Sequence, residues 1–249
     1  MSPDEHPAPA IRTENLSKHY GAIHALNRMN LSFEAGESVA LFGPNGAGKT
    51  TLIRILTLSL RPSSGSFRIA GLDPRRDDLA IRRQIGVISH QSYLYDDLTA
   101  RQNLEFFAGL YGVDDPRRRT AALLDSVGLA ARADDPVRTF SRGMQQRASL
   151  ARALVHEPQI VFLDEPFTGL DPHGAMTLRD TLERLRQQRR TIVMVTHNLA
   201  RGLELADRWL ILARGRVVDE GRSGEVDRAA FERSYFERLT STARVREPA

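Results

Sequence analysis

Three glycines within six residues, followed at once by a lysine and two threonines, are the densest concentration of chemistry in the chain: Gly43-Pro44-Asn45-Gly46-Ala47-Gly48-Lys49-Thr50-Thr51. The apolar run 39–42 ahead of it predicts a buried strand, and the pattern Leu52, Ile53, Leu56, Leu60 behind it predicts an amphipathic helix. In the context strand, loop, helix, this spacing makes a phosphate cradle. Glycines let consecutive backbone N–H groups curl round an anion, and the helix N-terminus adds unpaired donors and the positive end of its dipole. Lys49 would neutralise the outer phosphates, and the Thr50 hydroxyl would ligate Mg²⁺. Lys18 and Lys49 are the only lysines, and every other fixed cation is arginine. A compact ammonium fits inside a phosphate loop where a planar guanidinium fork does not.

Three further constellations carry chemistry. Ile160-Val161-Phe162-Leu163 is an apolar strand that ends in Asp164-Glu165. Adjacent side chains diverge on a strand, so two roles fit better than one: Asp164 to hold Mg²⁺, directly or through water, and Glu165 to polarise an attacking water. His197 ends a second apolar run, 191–196, and Gln91 follows a third, 84–89. A histidine at a strand end is commonly just a satisfied polar group; opposite a nucleotide it becomes a contact for the terminal phosphate. Ser141-Arg142-Gly143-Met144 opens a helix, with Ser141 as its cap and Met144, Ala148, Ala151 and Val155 as its buried stripe. A Ser-x-Gly helix start is also a second anion site. In an open α/β sheet, groups at the carboxyl ends of the strands converge on one rim.

The elements that position these groups alternate accordingly. Strands are expected at 11–16, 26–33 and 38–42, with Lys18 to Gly21 as a turn, and again at 65–70 and 84–89. A helical block fills about 92–156, with helices from Thr99 to about 111, from about 117 to 127, and from Ser141. Strands resume at 160–163 and 191–196, with a helix at about 172–190 between them, and 209–218 reads as a hairpin. Residues 226–240 predict a last helix with Phe231, Tyr235 and Leu239 on one face. Asp73-Pro74 and Asp171-Pro172 both read as a helix cap followed by proline at the first helical position. The expected fold is α/β: a mostly parallel central sheet, an N-terminal antiparallel β subdomain and a helical subdomain. A Pro/Ala tail at 1–10 is expected to be disordered, and 223–249 to hold the last helix and a tail.

Bulk properties narrow the function. A net charge of +4 and a pI near 9.8 could suggest nucleic acid, yet the basic pairs are scattered, lack interleaved aromatics and often sit beside acids such as Asp77-Asp78 and Asp114-Asp115. They read as solvated faces, so no nucleic-acid partner is expected. The chain has no cysteine, which excludes disulfides and thiolate metal sites. No apolar run approaches the length of a membrane span and no leader is read at the N-terminus, so a cytoplasmic chain is expected whose membrane role, if any, runs through a partner.

The phosphate loop, Gln91, Ser141 to Arg147, Leu163-Asp164-Glu165-Pro166, Gly169-Leu170-Asp171 and His197 occur in the order and spacing of an ABC-type ATPase, and the chain resembles that family over about residues 11–222. The resemblance implies a P-loop NTPase core and two protomers, of this chain or a homologous ATPase, paired head to tail around two ATP molecules. Each ATP would meet the phosphate loop of one protomer and Ser141 with Gly143 of the other. It further implies that Tyr20 stacks on adenine, Gln91 senses Mg²⁺ and the membrane partner, Glu165 is the general base, Asp171 a dimer contact and His197 the γ-phosphate clasp. Phe140, Arg142 and Met144 replace the usual leucine, first glycine and glutamine of the signature, and Arg142 would add positive charge near the phosphate. The implied function is energy coupling for separate multi-span permease subunits on the inner face of the membrane, with Tyr93, Tyr95 and Asp96-Asp97-Leu98 lining the docking groove. The wording of 140–144 and 166–171 resembles exporter-type ATPases, including the haem-exporter (cytochrome c maturation) kind. A ribosome- or nucleic-acid-directed relative would usually carry two ATPase units or a long coiled coil, and a GTPase an Asn-Lys-x-Asp motif; none is present.

Overall fold

The computed structural model describes residues 8–89, 92–228, 230–235 and 237. Gln91 and Leu239 lie outside the described residues, as do residues 1–7 of the expected tail. Ala10, at the end of that tail, is buried, and its carbonyl accepts from the Ala70 N–H at 2.7 Å.

Two sheets form the body. The larger has six strands in the order β5 (Ile85–Ile88), β6 (Ile160–Asp164), β7 (Thr191–Val195), β3 (Ser38–Phe42), β8 (Arg208–Ala213) and β9 (Arg216–Arg222). Every pairing in it is parallel except β8 with β9. Strands β3, β6 and β7 are buried at all five positions, the pattern of parallel strands covered on both faces by helices, and their sequences are correspondingly continuous apolar runs. The smaller sheet is antiparallel, with β1 (Ile11–Tyr20) between β2 (Ile23–Phe33) and β4 (Ser64–Ile69). The mostly parallel sheet and the antiparallel β subdomain are those expected.

Several local expectations needed correction. The stretch Lys18 to Tyr20 is not a turn but the paired end of β1, matched to Leu26, His24 and Ile23. The turn is Gly21-Ala22, where Gly21 at φ +57° permits a tight two-residue hairpin. Helix α1 (Lys49–Leu56) stops after two turns, so Leu60 packs on the core from beyond it. A short helix, α2 (Asp78–Gln84), precedes β5, and Asp73 does not cap it: its Oδ1 accepts from the Arg75 N–H at 2.9 Å, closing a turn. At the second Asp-Pro pair the expectation is met, because Asp171 Oδ1 accepts from the Gly174 N–H at 2.7 Å and opens α6 (Pro172–Gln187).

The helical layer comprises α3 (Ala100–Tyr111), α4 (Pro116–Ser126) and α5 (Arg142–Ala153). Thr99 caps α3 with a reciprocal capping box to Gln102. These helices share one core with α6 and one face of the parallel sheet, through Leu104, Leu124, Ala148, Ala151, Val161 and Leu163. A second core joins α1 and the antiparallel sheet to the opposite face. A third and smaller one gathers Phe42, Trp209, Phe231 and Tyr235 with α7 (Leu199–Leu205).

Candidate nucleotide site

Parallel register brings the expected groups to one rim. Leu41 of β3 pairs with Val195 of β7, and Val195 pairs with Asp164 of β6. The phosphate loop, Asp164-Glu165 and His197 therefore leave three neighbouring strands at the same height.

The loop 43–48 can only be built with glycine at two of its positions. A Cβ at Gly43 (φ +144°) would collide with the Leu212 carbonyl, and one at Gly48 (φ +104°) with the Ala25 carbonyl. Gly48 is also the N-cap of α1 and offers no side-chain cap, so the first N–H groups of the helix keep their donors for an incoming anion. Lys49 folds back over the loop and donates to the Gly43 and Pro44 carbonyls at 2.6 and 3.0 Å. Burial pushes its pKa down, against the opposing pull of Glu165 and Asp164. A half-desolvated ammonium on two carbonyls is poised to exchange them for phosphate oxygens.

Behind the loop, the Thr50 hydroxyl donates to Oδ2 of the buried Asp164 at 3.2 Å. Both are hard oxygen donors on one side of the phosphate cradle, a set that fits Mg²⁺ held by one carboxylate, one hydroxyl, phosphate and water. No cluster of three or more His, Cys, Asp or Glu able to hold a metal occurs among the described residues.

Glu165 does not continue the strand. It sits at φ +53°, a left-handed conformation uncommon for glutamate, with its N–H bonded to the Val195 carbonyl at 2.9 Å. That backbone turn, rather than strand alternation, separates the two carboxylates. Nδ1 of His197 then lies 2.7 Å from Glu165 Oε2, and the imidazole is otherwise exposed.

Other expected residues lie elsewhere on the chain. Ser141 caps α5 through the Met144 N–H at 3.3 Å, and the Arg142 guanidinium packs against Gly169. Among the described residues, no hydrogen bond or ion pair joins Ser141, Arg142, Gly143 or Met144 to the phosphate loop, Glu165 or His197. Asp171 is exposed at the start of α6. Gln146 ties α5 to this region by donating to the Pro166 carbonyl at 3.3 Å. Tyr20 is exposed at the hairpin tip, with the Lys18 ammonium 5.3 Å from its ring centroid, on the hairpin whose Ala25 abuts Gly48.

A groove of about 500 Å³ opens between β5, α3 and α5, lined by Tyr93, Tyr95, Phe107, Tyr111, Arg152 and His156 among others. Tyr93 and Tyr95 line it, and beside it the Asp96 and Leu98 carbonyls accept from the Arg138 and Val137 N–H groups and tie down the following loop. Arg152 and His156 went unanticipated, since both fall within a helix-like stretch with no motif. Tyr235 is buried, as the packing face expected at 231 and 235 requires.

Comparison with known proteins agrees with this geometry. The ABC transporter family profile matches residues 26–168. The chain is 39% identical over 219 residues to a daunorubicin resistance ATP-binding protein of Streptomyces coeruleorubidus, covering 87% of this chain and 69% of that one. It is 32% identical to a linearmycin resistance ATP-binding protein of Bacillus subtilis (85% and 68% covered) and 38% identical to Nod factor export ATP-binding protein I of Sinorhizobium fredii (86% and 63% covered). Among solved structures, the ATP-binding subunit of an ABC transporter superposes with a TM-score of 0.84 at 30% identity, over 93% of this chain and 99% of that one. A dimeric cassette in a post-hydrolysis state, bound to ADP and Pi, superposes at 0.79 with 29% identity, over 86% and 98%. The chain belongs to the ABC transporter family, as one of its ATP-binding ATPases.

Proposed function

We propose that this chain is the energy-coupling subunit of an export-type transporter, acting as a head-to-tail pair beneath separate membrane subunits. The observation that carries the reading is the pairing of Glu165 with His197 beside Thr50 and Asp164, all on the rim that holds the phosphate loop. ATP phosphates enter the cradle of backbone N–H groups, and Lys49 leaves its two carbonyls for the outer phosphates. Thr50 and Asp164 are the residues that would hold Mg²⁺, which would neutralise the phosphate charge. Glu165, oriented by His197, accepts the proton of the attacking water, and the exposed edge of His197 is free to meet the terminal phosphate. Tyr20 offers an exposed ring for the adenine. Gln91 is assigned to sensing Mg²⁺ and the membrane partner on the family pattern alone.

Ser141, Gly143 and the neighbouring Arg142 and Met144 make no contact with this chain's own phosphate loop, which suits a role in completing the site of a second protomer, with Asp171 at the same face. The dimeric neighbour bound to ADP and Pi supports that arrangement. Relatives named for daunorubicin resistance, linearmycin resistance and Nod factor export favour an exporter of small organic molecules. None of those three names mentions haem. Among the described residues no helix is long and apolar enough to cross a membrane. The aromatic groove at Tyr93 and Tyr95 is the surface proposed to receive a helix of the membrane subunit, with the chain on the inner face of the membrane.

The test is Glu165→Gln. It is expected to lower Mg-ATP turnover by about two orders of magnitude or more while ATP binding persists. Tagged, expressed in its host and solubilised in mild detergent with Mg-ATP, the variant should co-purify with a multi-span membrane protein in fixed proportion. Full turnover would overturn the assigned base; ribosomal or nucleic-acid partners would overturn the transport reading.

A further inference from the structure

Between Glu165 and α6 the chain makes two tight turns. The Thr168 N–H donates to the Glu165 carbonyl at 3.2 Å and the Leu170 N–H to the Phe167 carbonyl at 3.3 Å, after which Asp171 caps α6. The position of Glu165 therefore depends on how this connection is held, and it is held from two sides. On one side the Arg201 guanidinium of α7 lies 4.8 Å from the centre of the Phe167 ring. On the other stands the first turn of α5.

Arg142 and Gln146 are one helical turn apart on α5, so they share one face of it. Gln146 Nε2 donates to the carbonyl of the buried Pro166 at 3.3 Å. Arg142 lies over Gly169: a Cβ built there would fall 2.8 Å from the arginine Nε, 3.0 Å from its Cδ and 3.1 Å from its Cζ. The arginine thus fills the space that a side chain at 169 would need, and φ +79° at that position is one glycine adopts without strain. Among the described residues no carboxylate pairs with Arg142, so no ion pair draws it elsewhere. The residue that replaces the first glycine of the signature is laid along its own chain, on the connection that follows Glu165.

We propose that Arg142 is a positioning residue for Glu165 of the same protomer. Its stem and guanidinium on Gly169, with Gln146 on Pro166, latch the connection 165–171 to the start of α5. The latch acts by contact and not by charge, which separates it from the role of an added cation beside a phosphate. It makes the carboxylate and the Ser141 helix start move as one body, so α5 cannot shift without carrying Glu165 with it. The inference rests on Glu165 being the general base.

The experiment compares the full-length wild type with Arg142→Ala, which removes both contact and charge, and Arg142→Gln, which keeps an amide where Cδ and Nε stood and removes the charge. The kcat and KM for Mg-ATP are read alongside ATP binding to dilute monomer and nucleotide-free amide exchange at 167–170. Arg142→Ala should lower kcat about tenfold, as for a small misplacement of a reacting group, with KM and monomer affinity within about twofold of wild type. Its 167–170 amides should exchange faster than those of wild type. Arg142→Gln should turn over about threefold faster than Arg142→Ala or better, and return the exchange toward wild type. An Arg142→Gln variant as slow as Arg142→Ala would assign the effect to charge and overturn the latch, as would Arg142→Ala with wild-type turnover or wild-type exchange. Full turnover in Glu165→Gln overturns the base and the positioning role together, whereas a slow Glu165→Gln beside an unaffected Arg142→Ala overturns the positioning role alone.

Discussion

Glu165 owes its aim to its backbone. A glutamate at φ +53° costs about 1–3 kcal/mol against ordinary conformations, and it persists because the Val195 carbonyl and the His197 ring hold it from both sides. His156 shows the same tension in another form. Its Nε2 lies 3.0 Å from the Ile85 carbonyl, its ring stacks on Tyr111 at 3.8 Å, and its Nδ1 is buried without a partner. Burial first, and then the charges of Arg152 and Arg119, push its pKa down to about 4. The unfolded chain therefore binds a proton that the folded chain refuses. The resulting stability is fully present above about pH 6.5 and is lost as pH falls toward 4, by on the order of 2 kcal/mol. Denaturant titrations at pH 7 and pH 5 should show that loss, and His156→Gln should flatten it. At this scale the phosphate loop was legible because glycine geometry is local. Glu165 was legible as a carboxylate but not as a left-handed residue, since an apolar run ending in Asp-Glu says nothing of where its strand stops.

At the scale of elements, caps and registers decide where groups point. Thr99 and Gln102 satisfy each other's backbone N–H groups at the start of α3, the helix that carries Phe107 and Tyr111 into the aromatic groove. Thr99→Ala should cost about 1 kcal/mol, read as a melting temperature lower by a few degrees, with the ATP affinity of the isolated chain unaffected. This element was readable in advance because a capping box is written in four consecutive residues. The β1–β2 hairpin was not. Lys18, His19 and Tyr20 are polar or exposed and resemble a turn, yet they pair across the strand because Gly21 moves the reversal later. Asp73 misled for a related reason: it and Asp171 share a tetrapeptide, but only at 171 do apolar residues follow at helical spacing close enough for α6 to grow from the cap.

For the whole molecule, the decisive feature is a site left open on one side. Ser141 and Asp171 are exposed and bonded only within their own helix starts, while the loop, Asp164, Glu165 and His197 face outward from the sheet rim. Ser141→Arg should reduce turnover at least tenfold while leaving ATP binding to dilute monomer within about twofold, because the added bulk would fall in a neighbour's site. Single-turnover and monomer-binding assays separate the two, and a large loss of monomer affinity would refute the trans arrangement. The overall α/β layering was legible from the alternation of apolar runs. What no local pattern could show was the long-range closure of the chain, in which Phe231 returns to Phe42.

That closure gives the protein an optical handle of its own. Trp209 is the only tryptophan in the chain, and it sits edge-on to Phe231 in the pocket beneath the C-terminal segment. The Phe231 ring covers part of the indole, so a change in tryptophan emission is the expected sign that the segment carrying Phe231 has moved, read without a label.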